Sequence, residues 1–349
     1  MKNYDFNYWA MLEPMKYFDK QPDELSENLR KKYDAMISNE NNEYIATCKY
    51  DGEWTMFIKW DGQILIRSRS ISKKTGVYGD KTQHLPHLVE EMELWPDNTV
   101  ILGEVCWGDF GTVSTDVGTI LRCLPAKAVE RQKDRKLVVK VFDALAMMDE
   151  NLLNNPYSDR IALAHNMINL CNVNGPGYFT MTNICTSDKT PAEFADEIIS
   201  QGGEGVVIQR KDYIYEPGKR TAWKTLKLKQ RLPQMELKVV GTLEPKKYYE
   251  GDCPETWEYS LVDVETSEEY LVTKPYFFGW KNGIVVELES GIHCEVTSGL
   301  TDADREWLAT DEAKQAIENG ELYAVIQAMQ INTLGRLRHP ALVRLRNDM

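Results

Sequence analysis

The stretch Ile45-Ala46-Thr47-Cys48-Lys49-Tyr50-Asp51-Gly52 constrains this chain more than any other, because it reads as a strand running out into a tight polar turn. β-Branched and aromatic residues lead in from Tyr44, and Asp51-Gly52 supplies the turn chemistry. Trp54 to Trp60 reads as a second strand, Asp61-Gly62 as a two-residue hairpin turn, and Gln63 to Ser68 as a third strand. Lys49 is thereby placed at a rigid strand end, in a concave spot between strand and turn. A lone lysine in such a place reads first as a surface residue whose aliphatic stem lies along apolar surface. What shifts that reading is the order of carboxylates and cations in the rest of the chain.

A length of 349 residues suits two domains, each with a real core. Apolar residues make up 42% and charged residues 27%, a globular balance. No apolar run approaches the roughly 18 residues of a membrane span, and Met1 to Glu13 has no leader-like apolar segment. Seven cysteines, at 48, 106, 123, 171, 185, 253 and 294, show no CxxC spacing, so neither a zinc site nor a disulfide framework is expected. His84 and His87 lie three apart without a third ligand and are expected to be a surface pair. These features point to a reducing cytoplasm and no membrane partner.

The net charge of −13 argues against nucleic acid, but its distribution argues the other way. From Lys219 to Lys247 nine basic residues face two acidic ones, Glu236 and Glu244. From Ile331 to Met349 four arginines face only Asp348. Such gathering is either a solvated charge run or a phosphate-binding face on an acidic body.

Taken in order, residues 1–43 suggest a helix opened by Asp23-Glu24-Leu25 and running through Met36. Ser70 to Gln83 reads as a polar loop and Leu85 to Met92 as a short helix. Val100 to Val105 and Leu137 to Asp143 read as buried strands, the first carrying Glu104. Pro156 to Asn172 has the apolar spacing of an amphipathic helix, and Thr190-Pro191-Ala192-Glu193 is a capping box with proline at the first helical position. Glu204 opens the strand Gly205 to Ile208, and Lys227-Leu228-Lys229 alternates so that two ammonium groups share one strand face. Beyond Pro233 the pattern changes to short strands at 235–243, 257–265, 284–289, 292–297 and Leu342 to Arg346, with one capped helix from Thr301. We expect an α+β domain of antiparallel sheets with flanking helices over 1–232, then a small closed barrel of the OB type over 233–349.

To attack phosphorus, Lys49 must shed a proton held with a pKa of about 10.4. Neighbouring cations and a metal disfavour its charged form. Lys227 and Lys229 can hold a phosphate and stabilise charge in an in-line displacement. Glu104 and Glu204 read singly as strand-end surface acids, and Phe142 as core packing or a stacking surface.

The joint order of Lys49-Tyr50-Asp51-Gly52, Ser68-Arg69, Leu102-Gly103-Glu104, Val141-Phe142-Asp143, Glu204-Gly205-Val206-Val207 and Leu226-Lys227-Leu228-Lys229 resembles the successive motifs of covalent nucleotidyltransferases. Within them the chain is most similar to compact phage or viral ATP-dependent DNA ligases. Ser298-Gly299-Leu300-Thr301-Asp302, Lys219-Arg220-Thr221 and the tail from Leu337 to Arg346 add to the likeness, which spans Lys49 to Arg346. The resemblance implies that Lys49 takes AMP from ATP, then passes it to the 5′-phosphate of a nick in duplex DNA, which the 3′-hydroxyl seals. It implies that Thr47 and the backbone of Cys48 face the adenine, that Phe142 stacks on it, and that Lys227 and Lys229 grip the α-phosphate. Glu104 would reach the ribose or a metal-bound water, and Glu204 would help position Mg²⁺ (or Mn²⁺). Arg69 and Arg220 would meet the 5′-phosphate, as bidentate guanidinium geometry suits. Arg346 would reach the pyrophosphate from a barrel that swings about Leu232-Pro233. A monomer is expected.

The sequence departs from that pattern at Trp54 and Gln209, where basic residues are usual, at Thr47, where glutamate is common, and at Met349, where a terminal lysine is usual. RNA ligases and capping guanylyltransferases share the chemistry, but the Ser298 to Asp302 signature and the tail favour DNA. An NAD-dependent ligase is disfavoured because no four-cysteine zinc module is present. A non-catalytic nick-binding protein is the rival of a different kind, motivated by Trp54, Gln209 and Met349.

Overall fold

The computed structural model describes residues 4–347 except 20–21, 23–24, 73–74, 109, 111–113, 230–231, 252–253 and 333. Asp23, Glu24, Arg231, Cys253, Asp348 and Met349, which entered the reading above, lie outside the described residues. The chain divides into two units, Met1–Lys229 and Gln230–Met349.

The first unit contains β1 (Tyr44–Lys49), β2 (Glu53–Trp60), β3 (Gln63–Ile71), β4 (Tyr78–Asp80), β5 (Thr99–Cys106), β6 (Val138–Met147), β7 (Glu150–Asn151), β8 (Phe179–Met181), β9 (Gly205–Arg210) and β10 (Thr225–Lys229). Seven strands form a large sheet in the order β4-β3-β2-β5-β6-β7, with β8 alongside β6. The other three form a small antiparallel sheet, β1-β9-β10. Asp61 and Gly62 both have positive φ, the turn geometry that matches the twist of the β2–β3 hairpin. The Asp51-Gly52 turn does something else: it carries the chain from the small sheet to the large one. A Cβ on Gly52 would lie 2.2 Å from the Val105 carbonyl oxygen, so the close crossing needs glycine.

Each sheet buries one face against helices. Phe57, Ile101, Val105, Val139 and Val141 of the large sheet pack on Leu88, Val117, Ile120, Ala164 and Ile168 from helices Pro86–Met92, Ser114–Leu121 and Tyr157–Asn172. Its opposite face, with Met56, Ile58, Val100 and Leu102, is covered by Trp9, Leu12 and Met15 and by Tyr213 and Tyr215. Ala46, Cys48, Val206, Ile208 and Leu226 of the small sheet pack on Tyr33, Met36, Phe194 and Ile198 of helices Glu27–Ser38 and Pro191–Ser200. The capping box at Thr190 is formed with both of its hydrogen bonds.

Several local expectations are corrected. The first long helix is capped at Ser26 and runs from Glu27, and a shorter helix Phe6–Met11 precedes it. The polar loop at 70–83 contains the end of β3, β4 and a turn of 3-10 helix at Thr82–His84. His84 and His87 are not a surface pair: both are buried, with Nε2 bonded to the Cys123 and Leu137 carbonyls at 2.9 Å. Burial lowers the pKa of each imidazole, so both serve as neutral core groups. The six described cysteines are free.

In the second unit β11 (Met235–Leu243), β12 (Ser260–Val262), β13 (Glu269–Leu271), β14 (Gly283–Glu287), β15 (His293–Val296), β16 (Leu322–Gln327), β17 (Gln330–Ile331), β18 (Leu337–Arg338) and β19 (Ala341–Asn347) follow in order. Five of them make an antiparallel sheet, β15-β14-β11-β16-β19. Its two edges are joined by a parallel bridge between Ser298 and Ala341, with Leu342 N–H donating to the Ser298 carbonyl at 2.9 Å. This is the curled sheet of an OB fold around a core of Val239, Ile284, Val286, Val296, Ala324 and Ile326. The expected strand at 257–265 shrinks to β12, which pairs only with β13. The single expected helix becomes three, Lys274–Phe278, Asp302–Trp307 and Asp311–Asn319.

Candidate active site

The register of the small sheet orders the site into rows. Lys49 pairs with Gly205, which pairs with Lys229; Thr47 pairs with Val207 and Val207 with Lys227; Ile45 pairs with Gln209 and Gln209 with Thr225. Side chains alternate between the faces of a strand, so these rows share the face opposite the helix-packed residues Ala46, Cys48, Val206, Ile208 and Leu226. Gly205 has φ +136°, and a Cβ there would lie 2.1 Å from the Leu228 carbonyl oxygen. Glycine is therefore what lets β9 and β10 approach at the row of Lys49 and Lys229.

Facing these rows is a cavity of about 570 Å³. From the small sheet Thr47, Cys48, Lys49, Val207, Gln209 and Lys227 line it, and from the large sheet Trp54, Arg69, Glu104, Lys140 and Phe142. Glu104 points inward because it alternates with Leu102 and Val100 on β5, a carboxylate in what would otherwise be an apolar stripe. Its strand neighbours are Trp54 and Lys140.

Lys49 Nζ donates to Glu204 Oε2. Their side chains are 19% and 6% exposed, so the pair is largely shielded from water. Burial pushes the Lys49 pKa down, but Glu204 and Glu104 outweigh it and the net shift is upward. The expected lowering falls on Lys227 instead. Burial and the nearby Lys49 bring it down to about 8, against the opposing pull of Asp19. Burial pushes Glu104 up to about 8, although Lys49 counters it. In this state the site holds a charged Lys49, a carboxyl on the edge of protonation and an easily neutralised Lys227.

The site residues expected from sequence are distributed unequally. Lys49, Thr47, Cys48, Arg69, Glu104, Phe142 and Lys227 line the one cavity, Glu204 bonds Lys49, and Lys229 shares a carboxylate with Lys227. Arg220 is exposed on the loop before β10 and is not among the lining residues. Arg346 lies on β19 of the second unit, where it bonds Glu236.

Other residues escaped the sequence reading. Asp19 Oδ2 lies 2.7 Å from Lys229 Nζ and 4.0 Å from Lys227 Nζ. It is delivered by a segment strapped onto β10: Phe18 N–H donates to Thr225 Oγ1 at 3.1 Å, and Lys227 N–H to the Phe18 carbonyl at 3.0 Å. Tyr17 of the same segment lines the cavity, its ring centre 5.9 Å from Lys227 Nζ. Lys81 and Arg122 also line it, Arg122 bonding Glu53 at 3.3 Å. No local signal marks these residues, because each reaches the site through a tertiary contact. Val141-Phe142-Asp143 proves to be two things: Phe142 faces the cavity, while Asp143 turns away into a bidentate pair with Arg160 at 2.8 and 2.9 Å.

Among the described residues no group of three or more histidine, cysteine, aspartate or glutamate side chains is arranged to hold a metal unaided. No described helix is long and apolar enough to cross a membrane. Residues 24–229 match the family described as "ATP dependent DNA ligase domain". The DNA ligase of Thermococcus fumicolans is 25% identical over 234 residues, covering 62% of this chain and 37% of that protein. The DNA ligase of Methanocorpusculum labreanum is 24% identical over 315 residues, covering 87% of this chain and 52% of that one. The chain thus spans about half the length of the curated relatives it matches, or less. A solved structure described as "DNA binding with a minimal scaffold: Structure-function analysis of Lig E DNA ligases" aligns with a TM-score of 0.61 at 18% identity, covering 96% of this chain and 99% of that one. That likeness is one of fold.

Proposed function

The chain belongs to the ATP-dependent DNA ligase family, and from that premise we propose that it seals 3′-hydroxyl/5′-phosphate nicks in duplex DNA through a lysyl-AMP intermediate. The observation that carries this reading is that Lys49, Glu104 and Lys227 line one cavity, with Glu204 bonded to Lys49, although β1, β5 and the β9–β10 hairpin are far apart in sequence.

Lys49 Nζ attacks the α-phosphorus of ATP; an N–P bond forms, the bond to the β-phosphate oxygen breaks, and pyrophosphate leaves. Lys227 and Lys229 carry the charge that builds on the α-phosphate oxygens. Thr47 and the Cys48 backbone face the adenine, and Phe142 stacks on it opposite Val207. The 5′-phosphate of the nick then attacks the phosphorus of the lysyl-AMP, whose N–P bond breaks to free Lys49; the 3′-hydroxyl, giving up its proton to solvent, attacks the 5′-phosphorus and AMP leaves as the strand closes. Arg69 and Arg220 receive the 5′-phosphate, and Arg346 acts on the pyrophosphate in the first step. Glu104 and Glu204 fit a Mg²⁺ ion, which is commonly held by one or two carboxylates with substrate phosphates; when bound it would neutralise charge on the triphosphate.

Lys49 must first lose its proton, which burial favours and the two carboxylates oppose. Engaging those carboxylates elsewhere therefore activates the nucleophile. The test is intact-protein mass after pyrophosphate pretreatment and incubation with ATP and Mg²⁺, followed by nicked duplex DNA. A gain of one AMP that disappears with the nick is expected. No gain with ATP, GTP or NAD would replace this reading by that of a nick-binding protein without catalysis.

A further inference from the structure

We propose that Gln209 is a nucleobase-recognition residue, its side-chain amide donating a hydrogen bond to a ring nitrogen of the bound purine. The inference rests on the nucleotide-binding reading above and adds to it a specificity determinant at a position where the family pattern offers a different residue type.

Gln209 lines the cavity yet is only 2% exposed, and its Nε2 has no hydrogen-bond partner among the described residues. A buried amide donor left unpaired costs about 1–3 kcal/mol, so a position that keeps one is unfavourable until something accepts from it. Its neighbours in the same row of the sheet are Ile45, which has no polar side-chain atom, and Thr225, whose hydroxyl oxygen already accepts from Phe18 N–H at 3.1 Å. Because Gln209 lines the cavity, a molecule that enters it can supply the missing acceptor.

The sheet register says which part of a nucleotide that is. Lys49 and Lys229 form the first row, Thr47 and Lys227 the second, and Gln209 the third. At about 3.4 Å per residue, Gln209 lies roughly 7 Å along the strand from the Lys227 row and roughly 14 Å from the row of Lys49 and Lys229. The Gln209 row carries no cation, and the cavity lining includes Phe142, Tyr157 and Val207, an aromatic and apolar surface suited to a flat heterocycle. A glutamine amide is a good partner for a purine edge, whereas a phosphate would select the lysine rows.

The experiment compares adenylylation of the full chain by ATP and by its 1-deaza, 3-deaza and 7-deaza analogues, each lacking one ring acceptor. Wild-type protein is expected to lose about tenfold in kcat/KM with one analogue, mostly through KM. Gln209→Met, close in volume and without a donor, is expected to lose about the same factor with ATP and to be indifferent to that analogue. Gln209→Asn, which keeps the donor on a shorter stem, should recover part of the discrimination. Equal use of all four nucleotides by the wild type would overturn the inference, as would Gln209→Met that still discriminates like the wild type. A wild type that forms no adduct with any nucleotide would instead overturn the ligase reading itself, so the two failures are distinguishable.

Discussion

Of the carboxylate–cation pairs in the first unit, Asp143–Arg160 and Lys49–Glu204 make the clearest contrast. Both members of the first are fully buried. Arg160 spends its remaining donors on the Asn155 and Tyr213 carbonyls at 2.8 and 3.0 Å, and Asp143 also accepts from Ala144 N–H at 2.9 Å. A buried pair so fully satisfied fixes β6 to the helix Tyr157–Asn172 and has no capacity left for a ligand. The second pair borders a cavity, makes a single contact, and sits beside Glu104, whose proton is loosely assigned. A carboxylate beside a cation thus serves the fold in one place and, on the proposed reading, chemistry in the other, and the number of unfilled partners separates the two.

The sharpest way to break the contrast is to remove each cation in turn. Lys49→Ala should reduce the AMP adduct below detection by mass while the protein still seals a nick that is already adenylylated; inability to seal that substrate would undo the role given to Lys49. Arg160→Met should leave a buried carboxylate unpaired and lower stability by about 3–5 kcal/mol, read as a fall in the melting temperature. Adding Asp143→Leu to Arg160→Met should restore much of the loss, and no restoration would mean that the pair does more than satisfy itself.

A smaller effect concerns Glu104. Its folded value of about 8 lies above the ordinary 4.5, so between these values the folded chain holds the extra proton and stability falls as pH rises. In a chelator, Glu104→Gln should flatten the decline in melting temperature between pH 5.5 and 8; an unchanged slope would show that Glu104 does not titrate there. The smallest effect is on Lys227, whose folded value of about 8 lies below its usual 10.5. Its charge is lost as pH climbs through 8, so the rate of adduct formation should fall on that limb. Lys227→Arg should carry the limb to higher pH, and a limb that stays in place would assign it to another group.

Local signals made much of this molecule legible. The hairpin at Asp61-Gly62, the capping boxes at Thr190 and Thr301 and the strand ending in Lys49 are all properties of a few consecutive residues. What escaped depends on partners far along the chain. Nothing in Tyr44–Lys49 says that it pairs with residues 205–210 rather than with β2, and nothing in Asp19 says that it meets two lysines some 200 residues later. His84 and His87 looked like surface residues because burial of a neutral imidazole is decided by the carbonyls that fold over it. The run Leu322–Gln327 was missed although it lies inside the barrel sheet between β11 and β19. The motif residues were legible as an ordered series, and their geometry became visible only through the sheet registers.

The placement of β9 between β1 and β10 has a consequence for the newborn chain. As synthesis passes Lys49, its side chain is an ordinary solvated amine with neither Glu204 nor Lys227 yet made. The chain must be made through Gly205–Arg210 before the middle strand exists, and through Thr225–Lys229 before Lys227 and Lys229 join it. An unfinished chain therefore carries Lys49 without the partners that surround it in the fold. On the proposed reading, the capacity to react arrives only with the fold that contains it.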